Sequence, residues 1–166
     1  MTMKTLSLTT TILTAALLAA LPATANAQKI ERKYGSAQAP IAASVAVPAT
    51  ANVVYLSGAT ASPIDPAKPD ELGDTKAQTL SILTKIKAQL EAMGMGMGDI
   101  VKMTVFLVGT PANGGKMDAP AMNEIFRTFF GSADQPNKPA RSTVQVAALG
   151  RPPVLVEIEA VAAKMP

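Results

Sequence analysis

Three charged side chains near the end of the chain have the types and the spacing needed to bind a small organic acid. Arg141 lies at the start of a predicted strand, and Glu157 and Glu159 lie two residues apart in the next strand. A guanidinium is a planar set of donors that matches a carboxylate, so an arginine at the mouth of a strand is a suitable anchor. Side chains two residues apart on a strand share a face, so the two glutamates point together. The pattern predicts a site that binds an acid and handles a water molecule beside it.

A structural interpretation of the same residues is also open. Arg141 could form an ion pair with Glu157 or Glu159 that fixes the register of the strands. Burying such a pair usually gains little over apolar packing, which modestly favours a binding role for the arginine. Glu159 is better explained as a solvated position on an edge face.

Composition narrows the chemistry that such a site can use. The 166-residue chain contains no histidine, cysteine or tryptophan. Histidine is the commonest general base and metal ligand, and without it and cysteine a zinc site is improbable. We therefore predict no metal site, and we also predict no organic cofactor.

The first 27 residues are predicted to be a secretory signal peptide. Lys4 provides a positive start, residues 6–21 are apolar and uncharged, and residues 25–27 form a small-x-small cleavage site. The apolar stretch is shorter than the ~20 residues needed to span a bilayer, so an uncleaved anchor is the minority interpretation. The mature protein would begin at Gln28, be periplasmic or secreted, and have no stable membrane insertion. Its formal charge falls from +3 to +2, since one lysine and no acid are lost, and this argues against nucleic-acid binding.

The remaining residues are predicted to form a flexible lead-in at 28–38 and one domain at 39–166. Alternating apolar residues predict a hairpin of two strands, and a helix follows that begins after the N-cap Asp74 and ends at Gly94. Its predicted apolar stripe contains Leu80, Leu83, Ile86, Leu90 and Met93. A second helix has Met122, Ile125, Phe126, Phe129 and Phe130 on one face. Strands are predicted at residues 41–47, 52–58, 100–108, 140–147 and 154–162.

The predicted element order is β-β-α-β-α-β-β. One sheet with two helices on one face satisfies the layering rule for an α+β domain. The other sheet face would then be partly apolar and uncovered. Such a face predicts an oligomer.

The sequence resembles the RidA family, also called the YjgF family. The resemblance covers nearly the whole predicted mature chain, and its motifs occur in the family's order. They are residues 54–58 (VYLSG), 98–107 (GDIVKMTVFL), 122–126 (MNEIF), 139–144 (PARSTV) and 156–160 (VEIEA).

The resemblance implies a chorismate-mutase-like α+β fold and a homotrimer with ligand clefts between subunits. Some family members deaminate imines and enamines. By resemblance to them, Arg141 would hold the substrate carboxylate and Glu157 would be associated with the attacking water. Ser57, Asn123 and Thr143 would border the cleft. The structural alternatives are a backbone hydrogen bond at a strand end for Ser57 and a helix-bracing role for Asn123.

Several positions differ from the family pattern. Ala43 replaces the usual pocket tyrosine, and Tyr34 lies too far upstream to take its place without a shift of register. Ala59 replaces a common glutamine, Thr143 a common cysteine, and the loop at 109–119 is longer than usual. These changes would reshape the pocket and remove a hydroxyl.

The resemblance and these differences favour two functions. The first is a deaminase of the 2-iminobutanoate/2-iminopropanoate type, which converts small imino or enamino acids to a 2-oxo acid and ammonia. The second is a non-catalytic trimer that binds a small carboxylate. RNA cleavage, an activity also attached to the family, is disfavoured because the chain lacks histidine and a basic-aromatic stripe.

Overall fold

The computed structural model of the chain describes residues 28–166, so the predicted signal peptide at 1–27 lies outside the described residues. No helix within 28–166 combines the length and the apolar character needed to cross a membrane. The strands are β1 (Glu31–Lys33), β2 (Ser44–Ala46), β3 (Asn52–Thr60), β4 (Ile100–Val108), β5 (Ala140–Val146) and β6 (Val156–Lys164). The helices are α1 (Thr75–Ala92) and α2 (Ala119–Phe129), with short 3₁₀ turns at Met97–Asp99 and Pro111–Asn113.

The main sheet has four strands in the order β3-β6-β4-β5. β4 and β5 run parallel, and α2 lies between them in the chain as the crossover that a parallel pair requires. The other two neighbouring pairs are antiparallel. Together with the two helices this is the α+β fold class expected from the sequence.

Both helices cover the same face of the main sheet. Alternate residues of β4 and β6, such as Met103 and Ile158, form one apolar cluster with Leu83 of α1 and Phe126 of α2. The burial of β4 alternates strictly from Val101 onward, as its period-two pattern predicts. We call this side of the sheet the helix-covered face and the other side the open face.

The predicted helix ends are confirmed. The carboxylate of Asp74 accepts a hydrogen bond from the Ala77 backbone N–H at 2.9 Å, and Gly94 has a left-handed φ of 70° after the last turn of α1. Asp118 caps α2 in the same way, through the Ala121 N–H at 3.0 Å. The Asp118 cap fixes where α2 begins, and therefore which of its side chains reach β5.

The predicted hairpin of residues 41–47 and 52–58 is wrong. β2 pairs with β1, with Val45 opposite Arg32, and the two form a separate two-stranded sheet, whereas β3 pairs with β6. The segment 28–38, expected to be a flexible lead-in, thus contains a strand. Arg32 also donates a hydrogen bond to the Gly98 carbonyl at 2.8 Å, which ties this small sheet to the region before β4.

The predicted stripe of α1 is partly wrong. Leu80 and Met93 are exposed, at 47% and 44%, whereas the polar residue Gln78 is fully buried. The Gln78 amide donates to the Pro153 carbonyl and accepts from the Leu155 N–H, both at 2.8 Å. It satisfies backbone groups that precede β6, so burial of a polar side chain costs little here.

The open face presents apolar and polar side chains together. Tyr55 is 80% exposed, and Val53 and Val144 are each 42% exposed. A cavity of about 200 Å³ lies beside Tyr55 and is bordered by Lys102 and Glu159. A large aromatic side chain exposed to this degree is typical of a surface that contacts another molecule.

Candidate active site

Arg141 lies on β5 and points toward α2 on the helix-covered face. One guanidinium nitrogen donates to Asn123 Oδ1 at 2.6 Å, and another lies 3.7 Å from Met122 Sδ. The guanidinium carbon is 4.2 Å from the centroid of the Phe126 ring. In the β4–β5 register Arg141 is opposite Met103, whose side chain is in the core. Strand parity and the α2 contacts together hold the guanidinium in a fixed orientation.

The guanidinium is partly withdrawn from water without a counter-charge. Burial and, to a smaller extent, the positive charge of Arg127 together lower the pKa of Arg141 to about 10. No ion pair of Arg141 with an acidic side chain occurs within residues 28–166. A guanidinium has five N–H donors, so the contacts to Asn123 and Met122 leave several of them for a ligand.

Thr143 lies two residues after Arg141 on the same strand face. It is opposite Val105, a core residue of β4, in the parallel register. Its hydroxyl oxygen is buried and has no hydrogen-bond partner in the described part of the chain. Most buried side-chain hydroxyls in proteins have a hydrogen-bond partner, so Thr143 is an exception in the described part of the chain.

Glu157 and Ser57 lie at the other face of the sheet. Glu157 alternates with the buried residues of β6 and is opposite Phe106, so its side chain lies on the open face. Ser57 is exposed in an irregular part of β3, where the pairing with β6 shifts register between Leu56 and Ala59. The Glu157 carboxylate lies against Gly58: a Cβ added there would be 2.0 Å from Glu157 Oε1.

Arg141 and Glu157 do not lie together within one chain. β4 lies between β5 and β6 in the sheet, and the two side chains point to opposite faces. The alternative of an ion pair between Arg141 and Glu157 or Glu159 is likewise not observed within residues 28–166. Each chain instead presents two half-sites: an acid anchor of Arg141, Asn123 and Thr143, and a carboxylate site of Glu157 and Ser57.

The resemblance matches Ala43 with the family's pocket tyrosine, and alanine provides no hydroxyl. Ala43 is exposed just before β2, and its N–H donates to the Lys33 carbonyl at 2.8 Å. Tyr34 follows β1, and its hydroxyl accepts a hydrogen bond from the Lys138 N–H at 3.3 Å. A tyrosine hydroxyl is thus present just before β5, but it is bonded to backbone.

Sequence reasoning missed two residues that lie beside the acid anchor. Phe126 was predicted only as a core residue, yet its ring also stacks under the Arg141 guanidinium. Arg127 was not singled out at all. It lies four residues after Asn123 in the sequence, and residues four apart on a helix are neighbours on its surface, so α2 could have indicated it once Asn123 was placed at the cleft.

Comparisons with known proteins agree on one family. The family model described as Endoribonuclease L-PSP matches residues 14–164. A RutC family protein from Pyrococcus horikoshii is 41% identical over 115 residues, which cover 68% of this chain and 80% of the relative.

Two further relatives carry information on activity and on structure. The 2-iminobutanoate/2-iminopropanoate deaminase of Escherichia coli is 35% identical over 113 residues, which cover 68% of this chain and 80% of that enzyme. The crystal structure of a conserved Rid family protein of unknown function from Yersinia pestis superimposes with a TM-score of 0.59 at 26% identity. That match covers 75% of this chain and 87% of the other.

Proposed function

Since the chain belongs to the RidA (YjgF) family, we propose that it is a hydrolytic deaminase of small imino and enamino acids. The observation that carries the proposal is the Arg141 guanidinium. It is stacked on Phe126, held by Asn123 and without an acidic partner in the described chain. A planar cation held in this way suits a substrate carboxylate. The deaminase name of the relative from Escherichia coli supports the same chemistry.

The reaction needs only positioning and proton transfer. Arg141 binds the carboxylate next to the imine carbon, and a water molecule adds to that carbon through its oxygen. Glu157 orients the water and takes its proton, which passes to the imine nitrogen. This gives a carbinolamine, whose hydroxyl proton then passes through Glu157 to the amine nitrogen. The carbon–nitrogen bond breaks as the carbon–oxygen double bond forms, so that ammonia leaves and a 2-oxo acid remains. Imine hydrolysis proceeds slowly in water alone, and a fixed water and a neutralised carboxylate accelerate it without further groups.

We further propose that the working protein is a homotrimer whose active sites lie between subunits. Arg141 and Glu157 lie on opposite faces of one sheet, so a shared site requires the anchor of one subunit and the carboxylate of the next. The exposed Tyr55 on the open face supports contact with another copy. Ser57 would then line the cleft beside the neighbour's substrate.

The first experiment measures turnover. Purified residues 28–166 should accelerate the decay of 2-iminobutanoate generated in situ by an amino acid oxidase. Arg141→Ala should lose most of this acceleration, and Arg151→Ala, which removes an exposed arginine paired with Asp70, is the matched control. Equal rates for the unchanged protein and Arg141→Ala would overturn the proposal.

The second experiment tests whether the site is shared. Arg141→Ala and Glu157→Gln proteins should each be inactive, but mixing and reassembling them restores activity if one site needs both chains. In a cyclic trimer with random exchange, about a quarter of the sites then combine an intact arginine with an intact glutamate. A site within one chain would show no restoration, and this result would refute the shared arrangement.

An exported location completes the proposal. The pattern of residues 1–27 supports a cleaved signal peptide. Fractionation of cells that express the full chain should place the protein outside the cytoplasm, with an N-terminus at Gln28. A full-length protein that stays in the cytoplasm would contradict it.

One observation favours a second function, the non-catalytic binding of a small carboxylate. Ala43 provides no hydroxyl at the position of the family's pocket tyrosine, so a binding site could remain where a catalytic group is missing. A rise in melting temperature with 2-oxobutanoate but no turnover of any imine would favour the binding protein over the deaminase.

A further inference from the structure

A second arginine borders the Arg141 anchor. Arg127 lies in the last turn of α2, four residues after Asn123, which holds Arg141. Burial is the larger cause of the lowered pKa of Arg141, and the positive charge of Arg127 is the smaller one. The two cations are therefore close enough to repel each other. Such a pair is costly unless an anion lies between them or beside both.

Arg127 also lines a pocket, of which Arg141 is not a lining residue. It has a volume of about 300 Å³ and is lined by Arg127, Phe130 and Lys138 together with residues 37–40 and Gly131. The Phe130 ring stacks on Phe126 at 4.5 Å between centroids, and Arg141 lies 4.2 Å above Phe126. The sum of these two distances places the centroid of the Phe130 ring, which lines the pocket, less than about 9 Å from the Arg141 guanidinium carbon.

The charge in this pocket is entirely positive. Its lining contains two cations and no Asp or Glu. Neither Arg127 nor Lys138 forms an ion pair with an acidic side chain among residues 28–166. The Lys138 ammonium instead donates to the Ala39 carbonyl at 2.7 Å and lies 5.3 Å from the centroid of the Tyr34 ring. Both cations are thus available to an anionic ligand.

We infer that this pocket receives a second carboxylate, so that the preferred substrates are dicarboxylic imino acids. Arg141 holds the carboxylate beside the imine carbon, and Arg127 with Lys138 holds the distal one. The inference rests on the proposed deaminase function. It adds a specificity that the acid anchor alone does not provide, because Arg141 would bind mono- and dicarboxylates alike.

Arg127 also has a simpler explanation that the experiment must separate. A cation in the last turn of a helix interacts favourably with the negative end of the helix dipole, typically by 0.3–1 kcal/mol. That role requires only an exposed position and places no demand on the pocket or on Arg141. It would affect stability and leave the choice of substrate unchanged.

The test compares two ligands that differ only in the distal carboxylate. Binding of 2-oxoglutarate and of 2-oxopentanoate, the matched five-carbon monoacid, is measured by calorimetry for the unchanged protein, Arg127→Gln and Arg151→Gln. We expect tighter binding of 2-oxoglutarate to the unchanged protein. Arg127→Gln should weaken it by about ten- to a hundredfold, as for loss of one charge-assisted hydrogen bond. Binding of 2-oxopentanoate should change less than about twofold, and the exposed control Arg151→Gln should change neither ligand.

Turnover of the corresponding imines is measured in parallel. The ratio of kcat/KM for the diacid imine to that for the monoacid imine should fall in Arg127→Gln while monoacid turnover is retained. Equal effects of Arg127→Gln on both ligands, or no preference for the diacid in the unchanged protein, would overturn the inference and leave the deaminase proposal intact. Diacid-selective binding without turnover of either imine would support the pocket and overturn the deaminase proposal.

Discussion

Gly58 gives a direct test of the role of Glu157, because the two residues touch. A Cβ on residue 58 would lie 2.0 Å from Glu157 Oε1 and 2.9 Å from its carboxyl carbon. Ordinary contact begins near 3.4 Å, so Gly58→Ala must displace the carboxylate oxygen by at least about 1.4 Å. Gly58 is not among the residues with a left-handed φ, so alanine fits the backbone without strain. The expected damage is therefore to the position of one side chain rather than to the fold.

The magnitude follows from the sensitivity of catalysis to geometry. A misplacement of about 1 Å can cost about a hundredfold in rate. We expect Gly58→Ala to lower kcat for imine hydrolysis by about 30- to 100-fold, in line with that figure. KM should stay within about threefold, because the acid anchor at Arg141 is untouched. The melting temperature should change little, since the end of a flexible side chain can move at small cost. The assay is steady-state hydrolysis of 2-iminobutanoate, with circular dichroism to record the melt.

Two further variants complete the test. Gly150→Ala is the matched control, because a Cβ there meets open space and Gly150 has no left-handed φ. Glu157→Asp shortens the side chain by about 1.5 Å, one carbon–carbon bond, so it should relieve the clash in combination with Gly58→Ala. The two changes should then be less than additive in a double-mutant cycle. Full activity of Gly58→Ala, or strict additivity, would refute the role assigned to the Glu157 carboxylate.

Three other predictions concern the anchor, the open face and the core. The pKa of Arg141 is lowered to about 10, so the guanidinium is charged below this pH and loses its proton above it. The affinity for 2-oxobutanoate, measured by calorimetry, should therefore fall as the pH rises through about 10. A constant affinity up to pH ~11.5 would contradict the role of Arg141 as the anchor. Tyr55→Asp places a charge on the open face and should dissociate the proposed oligomer, which light scattering would detect as a lower mass. Leu80→Asp, at an exposed position of α1, should leave the mass unchanged. An intact Tyr55→Asp oligomer would exclude the open face as the contact between subunits. Gln78→Ala removes the buried amide that forms hydrogen bonds with backbone groups before β6. It should lower the free energy of unfolding, measured in urea, by about 2–4 kcal/mol, whereas Gln89→Ala at an exposed position should lower it by less than about 0.5 kcal/mol. Similar values for the two variants would refute the role of the buried amide.

The sequence predicted elements well where local periodicity determines them. β4 alternates as its residues do, and the predicted stripe is buried at Met122 and Phe126 of α2 and at Phe130 just after it. Which strands pair with each other could not be predicted in the same way, because pairing depends on contacts between residues far apart in the chain. Val54 of β3 is opposite Ala162 of β6, and no nearby pattern indicates that pairing over a local hairpin.

The buried polar residue of α1 shows a second limit. A hydrophobic pattern favours Leu80 over Gln78 for the core, yet Gln78 is buried and Leu80 is exposed. Gln78 is preferred there because it bonds backbone groups of a segment about 75 residues away. Only the tertiary structure reveals that those groups need a partner.

The residue types of the candidate site could be predicted, but not their arrangement. Arg141 and Glu157 were selected by type and by family motif, and both side chains are partly exposed. Their placement on opposite faces depends on the strand order and on parity within each strand. Arg127 was missed because an arginine on a helix surface is common, and only its approach to Arg141 distinguishes it.

The separation of the two half-sites by a single sheet has a consequence for how activity depends on protein concentration. If turnover requires the anchor of one chain and the carboxylate of another, an isolated chain is inactive although fully folded. Specific activity would then decline on dilution through the dissociation constant of the assembly, with no change in helix or strand content. The amount of protein in its compartment would set the activity of each molecule as well as the total.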